Sequence, residues 1–247
     1  MELIALGTGG WIPTPKHETA CYLCLTDDIL YMFDCGSGAK RLHKPLYSSM
    51  FSKYKKIVIV FSHYHMDHII GLFYIQKILC NKTITLVGPE NNHYVGGIQG
   101  CIDGFIKHGL MNNTIYDIAD DISFVGFTDK STIDLYGHRL CFEKQKHSNP
   151  SYRVIFDSFL VYATDTSEIN YNIPQNTFLL HECWDNSLNN PNHTTYHKIQ
   201  QLSNSRPDLR IGLIHFNPFF DRDRIGNTLE TNNLFIVDDE NSFHFEG

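Results

Sequence analysis

The 247-residue sequence has no apolar run approaching the ~20 residues that a membrane span needs. It also has no basic surplus: 20 Lys and Arg stand against 27 Asp and Glu, a formal net charge of −7. That balance argues against a protein that coats nucleic acid through a broad basic face. A small anionic substrate is still compatible with it, because divalent cations in a site reverse the local sign. The first residues, MELIALGTGG, carry no basic stretch and no cleavage site, so a cytoplasmic protein without a membrane partner is expected. A disulfide framework is missing too. Seven cysteines, an odd number, are scattered through the chain, which fits reduced and mostly buried thiols. Cys21 and Cys24 form a CxxC pair with no second pair to complete a structural zinc site, and both fall in a strand-like stretch. No repeat, low-complexity tract or linker divides the chain, so one domain over 1–247 is expected.

What is present is a succession of short β segments with a few helices. Strands are expected at 2–6, 20–25 and 30–34. The continuous apolar run 57–61 suits a strand covered on both faces. A helix is expected over 67–80, and a strand at 84–87 stops at Gly88-Pro89. A glycine-interrupted helix is expected over 92–108. Strands follow at 122–127, 132–135, 138–146, 152–156, 159–164 and 177–181, then a helix near 195–204, a strand at 210–214 and a last hairpin at 234–245. Two halves of similar α/β pattern suggest two sheets with helices outside.

Just after the run Ile57–Val60 comes F-S-H-Y-H-M-D-H, with His63, His65, Asp67 and His68 within six residues. A lone histidine is more often a satisfied core or surface residue than a ligand. Four strong donors at this spacing are different. In an extended loop His63 and His65 point the same way, and the turn into a helix re-aims Asp67 and His68. Two donors in each of two directions is an arrangement for two metal ions, and imidazole with carboxylate suits zinc, with iron or manganese as rivals. Further donors close other apolar runs: His147 in KQKHSNP, Asp165 in LVYATDTSE and His215 in IGLIHFNP. One carboxylate can bridge two metals, and Asp165 is the natural bridge.

HYHMDH fits the HxHxDH signature of the metallo-β-lactamase superfamily, and the later His, Asp and His follow in that family's order. The resemblance extends to the ribonuclease Z branch through LGTGGWIPTP, FDCGSGAKRL, ITLVGP, LLHECW and the run His193-Thr194-Thr195. It covers nearly the whole chain. It implies an α/β fold, an αββα sandwich of two mixed sheets with helices outside. It implies one zinc on His63, His65 and His147, a second on Asp67, His68 and His215, and Asp165 as the bridge. By the same resemblance Asp67 also orients the attacking water, His193 gives a proton to a leaving alkoxide, and Glu182 orients and charges that histidine.

The sequence also departs from that branch. Ribonuclease Z projects a tRNA-gripping arm between the third and fourth metal motifs, but only 17 residues separate His147 from Asp165 here. They read as two strands and a tight turn. HEAT becomes HECW, and Ser37 replaces an acidic position. A tRNA 3′-end endonuclease is therefore the alternative rather than the first reading. The resemblance is closest to armless cyclic-nucleotide phosphodiesterases, among them phage-encoded anti-Pycsar proteins, which degrade cyclic pyrimidine and purine mononucleotides used as bacterial immune signals. It implies two zinc ions, a small cyclic-nucleotide substrate, a homodimer, and the cytoplasm of a bacterial or phage-infected cell. Within FNPFFDRDR, Phe219 or Phe220 is a candidate for stacking on a base, with Thr194 as a third substrate contact. The glycine-interrupted apolar segment 91–112 is a candidate dimer face.

Overall fold

The apolar runs become strands, and most of them fall where the pattern predicts. The computed structural model describes residues 1–90, 96–106, 115–169, 172–226, 229 and 233–245. Among the described residues the strands are β1 (Glu2–Gly7), β2 (Cys21–Leu25), β3 (Ile29–Cys35), β4 (Lys56–Val60), β5 (Thr83–Pro89), β6 (Asp121–Phe127) and β7 (Thr132–Leu135). They continue as β8 (His138–Gln145), β9 (Ser151–Phe156), β10 (Leu160–Ala163), β11 (Phe178–Glu182), β12 (Arg210–Ile214), β13 (Leu234–Ile236) and β14 (Ser242–His244).

They form two seven-stranded mixed sheets, in the orders β14-β1-β2-β3-β4-β5-β6 and β13-β12-β11-β10-β9-β8-β7. In the first sheet β14, β1, β2 and β3 pair antiparallel, and β3 through β6 run parallel. The second repeats the scheme: β7 through β10 are antiparallel and β10 through β13 parallel. The parallel strands β4, β5, β10, β11 and β12 are buried almost throughout, which is why they read as unbroken apolar runs.

The chain divides into two compact units. One holds residues 1–7, 17–127 and 239–247 with the first sheet, and the other holds 8–16 and 128–238 with the second. In the first, Leu23, Met32, Ile59 and Leu86 pack beneath Leu72, Ile75, Ile98 and Ile102 from its helices. In the second, Val161, Leu179, Ile211 and Leu213 pack with Tyr196, Ile199 and Leu202. Those last three lie on one face of the helix Tyr196–Ser205, as a 3.6-residue period requires.

Three expectations change. The helix expected over 67–80 is three short pieces, Met66–Ile69, Leu72–Ile75 and the 3₁₀ turn Gln76–Leu79. The cause is a close approach at Gly71. Its N–H donates to the Cys35 carbonyl at 2.7 Å, and a Cβ there would lie 2.3 Å from the Gly36 carbonyl oxygen. The hairpin expected at 234–245 is two strands in different sheets: β13 pairs with β12 and β14 with β1. The helix expected over 92–108 spans Gly97–Ile106, with 92–95 and 107–108 outside the described residues. Of the candidate dimer face 91–112, only 96–106 is described.

The 17 residues between His147 and Asp165 contain β9, β10 and a tight turn, with Asp157 and Ser158 at φ +47° and +63°. No arm emerges there. All seven cysteines are free thiols, with Cys21 and Cys24 buried in β2 as expected.

Candidate metal centre

In the first unit, β4 delivers the chain into the loop 61–65, and a short helix begins at Met66. His63 and His68 are fully buried, and Asp67 is buried beside them. The His63 ring lies 4.4 Å from that of His65 and 4.3 Å from that of His68. The rings of His63, His65 and His68 thus cluster, with Asp67 against His68.

Beneath them sits a residue that the sequence reading did not assign. Asp34, fully buried near the end of β3, accepts from Ser62 N at 2.7 Å, from Ser62 Oγ at 2.8 Å and from His68 Nδ1 at 2.7 Å. An ionised carboxylate only accepts, so the His68 proton lies on Nδ1. Ser62 Oγ gives its own proton to Asp34 and lies 3.0 Å from His63 Nδ1, so His63 also donates through Nδ1. Both rings then turn the lone pair of Nε2 outward. This is the carboxylate–histidine arrangement that orients metal ligands and raises their basicity. The available signal was an acid closing the apolar run LYMF.

In the second unit, His147 follows β8, Asp165 follows β10 and His215 follows β12. Each oxygen of Asp165 faces a different ring: Oδ1 is 3.5 Å from His147 Nε2, and Oδ2 is 3.1 Å from His215 Nε2. One carboxylate thus faces two imidazoles, one oxygen to each. Asp165, His193 and His215 place one donor atom each within 4.8 Å of one another. The His215 main-chain N–H donates to the Thr8 carbonyl at 2.6 Å, and Gly10 packs on its ring, where a Cβ would lie 2.7 Å from Cε1.

The donor chemistry fits divalent metal. His147 donates through Nδ1 to the Asn192 carbonyl at 3.1 Å, so its Nε2 lone pair confronts the Asp165 carboxylate. In the first unit, His68 Nε2 likewise confronts Asp67 Oδ2 at 3.3 Å. Acceptors aimed at acceptors repel, unless both hold one cation. Imidazole and carboxylate are the donors that such a cation takes.

Beside the second set lies a proton-transfer pair. Glu182, fully buried at the end of β11, accepts from His193 Nδ1 at 2.8 Å. Its other oxygen accepts from the main-chain N–H groups of Thr166 at 2.5 Å and Thr194 at 3.2 Å. Burial alone would raise the Glu182 carboxyl, but the hydrogen bond from His193 and the His215 imidazole, 3.6 Å away, together outweigh it and hold the group below its ordinary range. The Trp184 ring stacks on His193 at 4.1 Å and 12°. That tryptophan is one of the two positions at which the sequence departs from HEAT, and the sequence reading did not assign it a role.

The remaining candidates separate. Thr194 is fully buried and its hydroxyl donates to the Thr166 carbonyl at 2.6 Å, so it secures the loop that carries His193 instead of facing a ligand. Phe220 packs against the second unit's core, whereas Phe219 is 77% exposed and meets Trp11 edge-on at 5.9 Å. His181 is buried with its ring on the Glu182 carbonyl, and burial pushes its pKa down.

Among solved structures, the chain is similar to the metallo-β-lactamase fold protein YhfI from Bacillus subtilis, at 20% identity and a TM-score of 0.73 over 98% of each chain. It is similar to a diphosphatase from the PhnP family at 16% identity and a TM-score of 0.74, over 99% of this chain and 98% of that one. The fold is that of the metallo-β-lactamase scaffold, and its His/Asp sets are donors that suit a divalent metal. Residues 1–237 match the family described as anti-Pycsar protein Apyc1, and the chain belongs to that family. A stretch of 101 residues is 37% identical to ribonuclease BN of Escherichia coli O139:H28, covering 36% of this chain and 31% of that protein. The chain thus spans about a third of the length of the curated relatives it matches. Among the described residues no helix is long and apolar enough to cross a membrane.

Proposed function

We propose that the protein is a two-zinc phosphodiesterase that opens 3′,5′-cyclic mononucleotides to nucleoside monophosphates. His63, His65 and His147 would hold one ion, Asp67, His68 and His215 the other, and Asp165 both. When bound, the two ions would supply Lewis-acid activation of water and neutralise charge on the phosphoryl oxygens. Manganese or iron would serve the same donors.

The chain's own residues handle the leaving group, and the observation that carries the reading is the His193–Glu182 pair. His193 uses Nδ1 to donate to Glu182 and keeps Nε2 for a substrate oxygen. Nε2 is then the atom from which a proton can pass to a leaving group, as a general acid requires. Trp184 fixes the ring plane. In the reaction a water oxygen bonds to phosphorus, the P–O3′ bond breaks, and the Nε2 proton goes to O3′, leaving a 5′-monophosphate. Asp67 accepts the proton of the attacking water. Phe219, the exposed aromatic of the loop after β12, is the candidate for stacking on the base. The enzyme would act in the cytoplasm of a bacterial or phage-infected cell, as a homodimer, which light scattering of the purified protein would check.

The test is turnover of the four 3′,5′-cyclic mononucleotides by zinc-loaded protein, read by chromatography, with His68→Ala and His193→Ala as controls. Loss in both controls supports the reading. No turnover on any of the four would sink it. A 3′-phosphate product, identified by phosphorus NMR in labelled water, would overturn the assigned leaving group. The identity to ribonuclease BN favours a second reading, cleavage of precursor tRNA. The hairpin between His147 and Asp165 and the acidic charge balance weigh against it. The same protein incubated with a precursor tRNA decides between the two.

A further inference from the structure

At the N-terminal ends of β4 and β5, the end of β4 opposite His63 and His65, the first unit holds a cavity of about 450 Å³. Lys55, Lys77 and Lys82 line it together with His43, and none of its lining residues is acidic. That concentration of cations runs against a chain whose net charge is −7. Among the described residues no carboxylate pairs with any of the three lysines.

Lys82 is 6% exposed. Its ammonium donates to the Tyr54 carbonyl at 2.6 Å and the Phe51 carbonyl at 3.3 Å, at the exit of the helix Pro45–Ser52, and lies 5.2 Å from the centre of the Phe51 ring. An ammonium carries three donors, so two anchor the group and one remains for the cavity. Burial first, and then the charge of Lys55, lowers the Lys82 pKa, so the two cations feel one another. Like charges gathered without a counter-charge cost energy that a bound anion relieves. Lysine ammoniums bind phosphate as point charges. The volume lies within the range of small-molecule sites, and Phe51 and Ile78 supply an apolar wall.

We propose that this cavity is a binding site for a small phosphate-bearing anion of nucleoside-monophosphate size, held by Lys55, Lys77 and Lys82. The site stands apart from the metal ligands, and the proposal does not depend on the hydrolytic reading.

The experiment is calorimetric titration of the full chain, stripped of metal with a chelator, using inorganic phosphate and adenosine 5′-monophosphate at matched ionic strength. Three proteins are compared: the parent, Lys55→Gln/Lys77→Gln, and Lys130→Gln/Lys144→Gln, which removes the same charge at exposed positions of the second unit. All four positions are exposed, so folding is not at stake. The parent and the control pair should bind with equal affinity, and Lys55→Gln/Lys77→Gln at least tenfold more weakly. Binding of adenosine monophosphate but not of phosphate assigns the site to nucleotides, and binding of both assigns it to phosphate in general. Equal affinity in all three proteins, an equal loss in both double variants, or no binding by the parent overturns the proposal.

Discussion

Replacing Asp34 with asparagine changes no volume and tests the logic of the first ligand set. The Ser62 main-chain N–H, 2.7 Å from Asp34 Oδ1, is buried and needs an acceptor. It therefore fixes the asparagine carbonyl oxygen on that side and turns the NH₂ toward Ser62 Oγ and His68 Nδ1. His68 can meet that donor only by moving its proton to Nε2, the atom that would ligate metal. Losing a carboxylate partner of a metal-bound histidine typically costs about 10–100-fold in metal affinity, or about 1.4–2.7 kcal/mol. The assay is competition for zinc against a chromophoric chelator, with circular dichroism of the metal-free variant to show that it folds. An affinity within twofold of the parent would refute both the tautomer assignment and the role of Asp34.

Four further outcomes are expected. Glu182→Gln should lower kcat by about 10²–10⁴-fold with metal content retained, since general acid–base groups contribute that much; parent-level turnover would remove the pair from the mechanism. Because the folded Glu182 pKa is held low, its stabilisation is present above the unfolded value of about 4.3 and is lost as pH falls through the folded one. Denaturant titrations of metal-free parent and Glu182→Gln should therefore converge on acidification. Gly10→Ala should displace the His215 ring, where the added Cβ would sit 2.7 Å away. Overpacking of this kind costs about 1–3 kcal/mol, and the bound-metal stoichiometry should fall; unchanged metal content and melting temperature would refute it. Restoring zinc at a hundredfold over its dissociation constant should add about 2.7 kcal/mol of stability to chelated protein, seen as a raised melting temperature; no shift would mean that the folded chain binds no zinc.

The sequence revealed what local pattern encodes and hid what long-range contact decides. β4 and β11 were legible because strands covered on both faces are apolar throughout. Gly71 looked harmless inside a helical pattern, because nothing local says that the Cys35 and Gly36 carbonyls press against it. The stretch 234–245 looked like a hairpin because spacing does not name a strand's partner. Past β13 the Arg41 guanidinium takes Asp239 at 2.6 Å, Lys44 takes Glu240, and the chain joins β1 instead. Asp34 was missed for the same reason, since its partners Ser62 and His68 lie about thirty residues away.

One local rule nevertheless covers both ligand sets: a polar residue that closes an apolar strand faces the chemistry. Asp34, His63, His147, Asp165, Glu182 and His215 all lie at or just beyond the C-terminal end of a strand. Backbone geometry adds a second mark. Asp34, Asp165 and His215 have φ of +53°, +50° and +54°, in the left-handed region that most side chains avoid. A residue held there costs on the order of 1–3 kcal/mol, less where Asp and His tolerate it. A strand that continued in extended geometry would send the next side chain to one sheet face or the other. The left-handed step turns it off the strand end, where Asp165 offers one oxygen to each of two histidines and Asp34 reaches both Ser62 and His68. The strain at these positions is what the architecture spends to point carboxylates and an imidazole along the strand axis instead of across it.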